Sequence, residues 1–311
     1  MPAVNYLSGR VAVLMGGTAS EREISLQSGM AVLNSLQASG IDAVGIDTAG
    51  DLLADLEKTH PVFAFIAVHG AGGEDGKLQA VLELLGIPYS GSGVMASALA
   101  MDKLRSKHIW KGLGLPTPPY KLLQDSMSRE DLEAALAQLG GRVFVKPIAE
   151  GSSFGMAIAS SSTELHDAFR QASLFNQPVM AERLVSGPEY TVAILNKRCL
   201  PSIRIQASQE FYDFQAKYES DETRFFIPSG LDNDAENRLQ TIALAAFEAL
   251  GCVGWGRVDV MQDELSGVFY LLEVNTVPGL TDHSLVPMAA NAAGLSFAAL
   301  IGEIINACAA K

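Results

Sequence analysis

The first hundred residues constrain the fold most, because short apolar runs alternate there with amphipathic stretches that end in glycine. RVAVLMGG leads into EISLQSGMAVLNSLQASG, then IDAVGID, FAFIAVHG, GKLQAVLELLG and IPYSG. Such alternation predicts a parallel sheet with helical crossovers, an open α/β domain over residues 1–102. Ligands of such sheets gather at the carboxyl ends of the strands, which here carry MGGTASERE and VHGAGGEDG, rich in glycine and acidic residues and including His69. MGGTASERE lacks the GxGxxG pattern, and Glu21 and Glu23 would repel a pyrophosphate. Glu21 instead suits an ammonium group, while Ser20 and Glu23 predict a capping box at the helix start.

Beyond residue 102 the pattern changes. A helix over KLRSKHIWKGLG is followed by extended LPTPPYKLL, a helix over 129–139, strand RVFVKPI, the loop EGSSFGM, a helix over 163–175 and strand VMAERLV. After Gly187, EYTVAIL, LPSIRI, GRVDVMQ and FYLLEVN, with a helix over 235–250, predict a largely antiparallel α+β region. The expected borders are 103–185 for a central lobe and 186–311 for a C-terminal one. A 48% hydrophobic content supports a large core, and the net charge of -13 with scattered basic residues argues against nucleic acid or anionic membrane as partner. Cys199, Cys252 and Cys308 have neither metal nor disulfide spacing, which fits a reducing cytoplasm. With no leader pattern and no run near the roughly 20 apolar residues of a membrane span, the chain is expected to be neither exported nor embedded.

Three segments carry chemistry. RVFVKPIAEGSSFGM puts Lys146 on a strand before a Gly/Ser loop whose amides could cover phosphates, although a plain hairpin loop reads the same way. In AERLVSGPEYTV, Glu182 and Glu189 flank a break; they either accept ribose hydroxyls, with the backbone from Arg183 to Val185 at a base edge, or are solvated turn acids. GWGRVDV sets Arg257 and Asp259 two apart, and FYLLEVN sets Glu273 and Asn275 two apart on the expected hairpin partner. Period two directs Glu273 and Asn275 to the same side as Leu271. Asp259, Glu273 and Asn275 are three oxygen donors suited to Mg²⁺, with Arg257 as a clamp on developing negative charge; a structural Arg257–Asp259 ion pair is the alternative.

In order along nearly the whole chain, VAVLMGGTASEREISLQSG, HGAGGEDGKLQ, SGSGVMASALAMDK, VKPIAEGSSFGM, AKY, GWGRVDV, LLEVNTVPG and HSLVPMAA resemble the ATP-grasp superfamily, most closely the D-alanine–D-alanine ligases. The resemblance implies a two-lobed ATP-grasp fold after the α/β domain, and ligation of two D-alanine molecules through an acyl phosphate for peptidoglycan synthesis. It further implies ATP, two Mg²⁺ or Mn²⁺ ions and a homodimer. By the same resemblance, Lys103, Lys146, Ser153 and Lys217 meet ATP phosphates, and Glu182, Arg183, Val185 and Glu189 surround the adenosine. Asp259, Glu273 and Asn275 hold the metals. Glu21 takes the ammonium of the first substrate near His69, Ser284 and Leu285 take the carboxylate of the second, and Arg257 with the Gly279 N–H stabilises the oxyanion. Ser152 and Tyr218 hydrogen bond to Glu21. Two positions depart from the family pattern: Arg183 replaces an expected Lys, and Val277 replaces a common Ser. Tyr218 fits dipeptide-forming members rather than D-lactate-accepting ones.

Overall fold

The computed structural model describes residues 8–151, 155–206, 223–281 and 283–308. Ser152, Ser153, Lys217 and Tyr218 lie outside the described residues. Strands β1 (Val11–Met15), β2 (Ala43–Asp47) and β3 (Phe63–Ile66) form a parallel sheet in the order β2-β1-β3, Val13 pairing with both Gly45 and Phe65. β1 and β3 are buried throughout, which explains their unbroken apolar sequences. Helix α1 (Arg22–Ala38) packs on β1 through Ser25, Ser28, Gly29, Val32, Leu33 and Leu36, a stripe at three- and four-residue spacing. The expected Ser20–Glu23 capping box does not form. The N-cap falls on Glu21, without a side-chain cap, because a turn joining the Arg22 N–H to the Ala19 carbonyl carries the chain past Ser20 before the helix begins. Helices α2 (Leu52–Thr59), α3 (Lys77–Leu84) and α4 (Val94–Met101) complete this region.

A second sheet, antiparallel, has the order β4-β7-β5-β6 from Tyr120–Leu123, Val179–Arg183, Val143–Pro147 and Ala157–Ala159. Helices α6 (Arg129–Gln138) and α7 (Ser162–Ser173) supply Leu132, Leu136, Leu165 and Ala168 to its own core. Helix α5 (Lys103–Gly112) opens the expected central lobe; its Trp110 is fully buried, and the indole N–H donates to the Ala246 carbonyl at 3.0 Å.

The third sheet runs β11-β10-β8-β12-β13, from Arg224–Phe226, Ile203–Gln206, Glu189–Leu195, Trp255–Gln262 and Phe269–Asn275, with the short β9 (Arg198–Cys199) on β8. Helix α8 (Asn233–Ala249), together with Trp110, covers one face. On the other face, α9 (Leu285–Ala292) and α10 (Phe297–Cys308) share one continuous core with the N-terminal sheet: Val286, Leu300 and Ile304 join Val32, Phe65 and Trp255. Among the described residues no single helix is long and apolar enough to cross a membrane; only the bent pair α9–α10 passes by length and composition, and its apolar residues are core.

One expectation about β13 fails. Asp259 pairs with Glu273, but Val260 pairs with Leu271, so Leu272 is an extra residue in a β-bulge. The bulge shifts the alternation by one residue: Leu271 and Val274 enter the core beneath α8, whereas Glu273 and Asn275 face a cavity on the opposite side.

Candidate active site

A cavity of about 460 Å³ opens where β12 and β13 meet the start of α1, the β3–α3 loop and the turn before α9. Antiparallel register sets Arg257 opposite Asn275 and Asp259 opposite Glu273. Asp259 is buried and takes four hydrogen bonds: from Arg257 Nε at 2.8 Å and a terminal guanidinium nitrogen at 2.7 Å, from Thr191 Oγ1 at 2.6 Å and from Asn275 Nδ2 at 3.0 Å. Lys103, at the start of α5, places Nζ 3.0 Å from Glu273 Oε2 and 2.7 Å from the Glu150 carbonyl. Burial works against the Lys103 charge, but Glu273, joined by Glu21 and Glu74, outweighs it and raises the pKa. The Arg257–Asp259 ion pair, the alternative to a clamp, is present, with Arg257 Nε and one terminal nitrogen both on Asp259.

The donor set meets a chemical test for a hard cation. Among the described residues no group of three His, Cys, Asp or Glu side chains is arranged to hold a metal ion by itself. Two carboxylates and an amide on paired strands form an oxygen-only set fitting Mg²⁺ or Mn²⁺, with room left in the cavity for water and phosphate oxygens.

Glu21 projects from the N-cap of α1 into the same cavity, between two glycines. A Cβ on Gly151 would lie 2.8 Å from Glu21 Oε2, and one on Gly70, whose φ is +68°, would collide with the same oxygen. Gly279, Ser284, Leu285 and Glu189 also line the cavity, and a side chain at Gly279 would come within 2.8 Å of Ser284 Oγ. Both ring nitrogens of His69 are engaged by the protein: Nδ1–H donates to the Val277 carbonyl at 2.7 Å, and Nε2 accepts from Ser28 Oγ at 3.1 Å. Ser28 Oγ in turn accepts from the Leu280 N–H at 3.0 Å, while Glu74 accepts from the N–H groups of Gly70 at 2.7 Å and Val277 at 3.1 Å. The turn carrying Gly279 is therefore tied to the N-terminal sheet through the backbone of Val277.

A second polar cluster lies outside the cavity. Glu182, on β7, is buried, with Lys146 of β5 on one oxygen and Lys107 Nζ 2.9 Å from the other. Burial opposes its ionisation, yet the two lysines hold it below the usual carboxylate value. Oε2 has its ion pair but no directed hydrogen bond. Val185 is buried nearby in sequence, and the Arg183 N–H is already taken by the Pro119 carbonyl at 2.8 Å. The Arg183 guanidinium stacks 4.8 Å from the Tyr270 ring centroid and pairs with Asp263 at 3.2 Å, binding the second sheet to the third.

Residues 109–306 match the profile described as D-ala D-ala ligase C-terminus, and residues 51–92 match D-ala D-ala ligase N-terminus. The chain belongs to the D-alanine–D-alanine ligase family. Relatives in this family named D-alanine–D-alanine ligase, from Saccharophagus degradans and Ectopseudomonas mendocina, are each 54% identical over 96% of this chain, covering 93% and 94% of their own lengths. The crystal structure of D-alanine–D-alanine ligase from Bacillus anthracis superposes with a TM-score of 0.85 at 34% identity, covering 96% of this chain and 97% of that one. The same enzyme complexed with ATP gives 0.83 at 32%, with the same coverage. VanG D-Ala:D-Ser ligase from Enterococcus faecalis gives 0.82 at 30% identity, covering 96% and 98%.

Sequence reasoning passed over Thr191, Ser28, Glu74 and Lys107. Lys107 alone had a usable signal, because it lies four residues after Lys103 on one helix face.

Proposed function

We propose that the chain joins two molecules of D-alanine into D-alanyl-D-alanine with conversion of ATP to ADP and phosphate, supplying the dipeptide for peptidoglycan precursors. The carrying observation is that Glu21 and the Arg257/Asp259–Glu273/Asn275 hairpin with Lys103 line one cavity, one side suited to ammonium and the other to phosphoryl groups. The carboxylate of the first D-alanine attacks the γ-phosphorus, ADP leaves and an acyl phosphate forms. The amine of the second D-alanine attacks the acyl carbon, and phosphate leaves from the tetrahedral intermediate.

Glu21 holds the first ammonium, aided by Ser152 and Tyr218, while Ser284 and Leu285 receive the second carboxylate. Arg257 and the Gly279 N–H take up the developing oxyanion charge. Lys103, Lys146, Ser153 and Lys217 serve the phosphates; Glu182, Arg183, Val185 and Glu189 serve the adenosine. His69 supports the substrate side through its contacts with Val277 and Ser28. Mg²⁺ or Mn²⁺, when bound, supplies positive charge to the phosphate oxygens, and Asp259, Glu273 and Asn275 would hold two such ions. The assignment extends to a cytoplasmic homodimer with lobes at 1–102, 103–185 and 186–311.

Phosphate release from ATP with D-alanine, L-alanine, D-serine or no amino acid is the direct test. Release dependent on D-alanine is expected; release that ignores it sinks the proposal. Arg257→Ala should lower kcat by about 10²- to 10³-fold, the usual cost of losing an oxyanion donor, and Glu273→Gln should raise the metal concentration needed for activity.

A further inference from the structure

Lys107 has no part in the chemistry above, yet its side chain is fully enclosed, with 0% exposure. It lies one turn along α5 from Lys103 on the same face, and the two lysines reach different carboxylates, Lys103 meeting Glu273 and Lys107 meeting Glu182. Nζ donates to Thr117 Oγ1 at 2.9 Å and to the Leu271 carbonyl at 3.4 Å, and stands 2.9 Å from Glu182 Oε2. Two of the three ammonium donors are thus hydrogen bonded, and the contact with Glu182 is an ion pair. Thr117 Oγ1 donates onward to the Leu271 carbonyl at 3.1 Å, which ties the arrangement to β13.

Glu182 therefore has two cations. Lys146 sits on Oε1 and Lys107 beside Oε2, so the cluster carries one positive charge in excess. A buried carboxylate that loses its only cation is strongly destabilised. If Lys146 were the sole partner, turning it toward a phosphate would leave Glu182 buried and unpaired. Lys107 is held in addition by Thr117 Oγ1 and the Leu271 carbonyl, which keep it beside Glu182 when Lys146 turns away. Burial draws its pKa down to about 8, with Glu182 pulling it up and Lys146 pushing it down, so it stays largely charged at neutral pH.

We propose that Lys107 is a positioning residue for nucleotide binding: the resident counter-ion of Glu182, which keeps that carboxylate ionised and directed while Lys146 exchanges from Glu182 to the phosphates of ATP. This rests on the ATP-dependent reading of the site. The role is held through Glu182, and Lys107 itself touches no substrate.

The test is a calorimetric titration of ATP with Mg²⁺, without D-alanine, into wild type, Lys107→Met, Glu182→Gln and the double variant. Lys107→Met is expected to weaken ATP binding on the order of 100-fold, because Lys146 must then remain with Glu182. In the Glu182→Gln background the same change should cost no more than about threefold, since no buried charge needs a counter-ion. The KM for D-alanine should stay within about twofold of wild type in Lys107→Met. A purely structural lysine would lower Tm in both backgrounds and move both substrates alike. Equal losses of ATP affinity in the two backgrounds, or wild-type affinity in Lys107→Met, would overturn the proposal. Should Lys107→Met fail to fold, Lys107→Gln takes its place under the same criteria, and a loss of tenfold or more in the double variant against Glu182→Gln rejects the counter-ion role. Wild-type protein that binds no ATP removes the underlying reading, and the proposal with it.

Discussion

Glu74 lies beneath the cavity and accepts two backbone N–H groups, yet burial, reinforced by the Glu21 carboxylate, pushes its pKa up to about 8. In an unfolded chain a glutamate titrates near about 4.3. Between those values the folded protein keeps a proton that the unfolded chain has released, so stability falls as pH rises from about 4.3 through about 8. Glu74→Gln retains the shape and cannot titrate. Its Tm is therefore expected to vary less than the wild-type Tm between about pH 5 and pH 9. Scanning calorimetry of both proteins at half-unit steps measures this, and parallel curves would exclude Glu74 as the source. The residue also shows what a sequence conceals. Asp259, Glu273 and Asn275 announced themselves as polar groups at strand spacing, but Glu74 acts through the Val277 N–H, 203 positions away, and no local pattern encodes that contact.

The elements were legible where a local rule governs them. α1 and α3 follow from their apolar spacing, and the β12–β13 hairpin from its polar pairs. β13 shows where the rule stops: strict alternation would turn Glu273 toward the core, and one extra residue, Leu272, turns it to the cavity instead. α4, almost entirely apolar, and α9 and α10, set by long-range packing, have no clear polar face to read. The β3–α3 loop shows an element fitted to one side chain, Glu21. Gly70 takes φ +68° directly against Glu21, so a methyl group there both strains the backbone and displaces the carboxylate. Gly70→Ala is expected to raise the KM for D-alanine by about tenfold or more while leaving ATP affinity within about twofold. Steady-state kinetics at saturating ATP, with a separate ATP titration, separates the two; an unchanged D-alanine KM would mean that Glu21 does not position that substrate.

At the scale of the molecule, the second sheet keeps a core of its own, whereas the first and third sheets share one through α9 and α10. A relay of hydrogen bonds crosses that shared boundary at the site. The Leu280 N–H donates to Ser28 Oγ, Ser28 donates to His69 Nε2, and His69 Nδ1–H donates to the Val277 carbonyl. Every donor has one acceptor, so the relay requires neutral His69, and burial, which lowers its pKa, favours that form. The turn holding Gly279 is thus tied to residues of α1 and the β3–α3 loop in addition to the bonds it makes with Ser284. Ser28→Ala breaks the relay at its centre while leaving each residue proposed to touch substrate in place. Losing the two buried hydrogen bonds of Ser28, which orient the turn of the proposed oxyanion donor, should reduce kcat by about tenfold, with ATP affinity within about twofold of wild type. Rapid-quench measurement of dipeptide formation alongside calorimetric ATP binding distinguishes the outcomes. A wild-type rate would mean that the turn is held by the C-terminal lobe alone. A parallel loss of ATP affinity would mean that the first sheet governs the nucleotide side as well, which the separation of the Glu182 cluster from the cavity argues against.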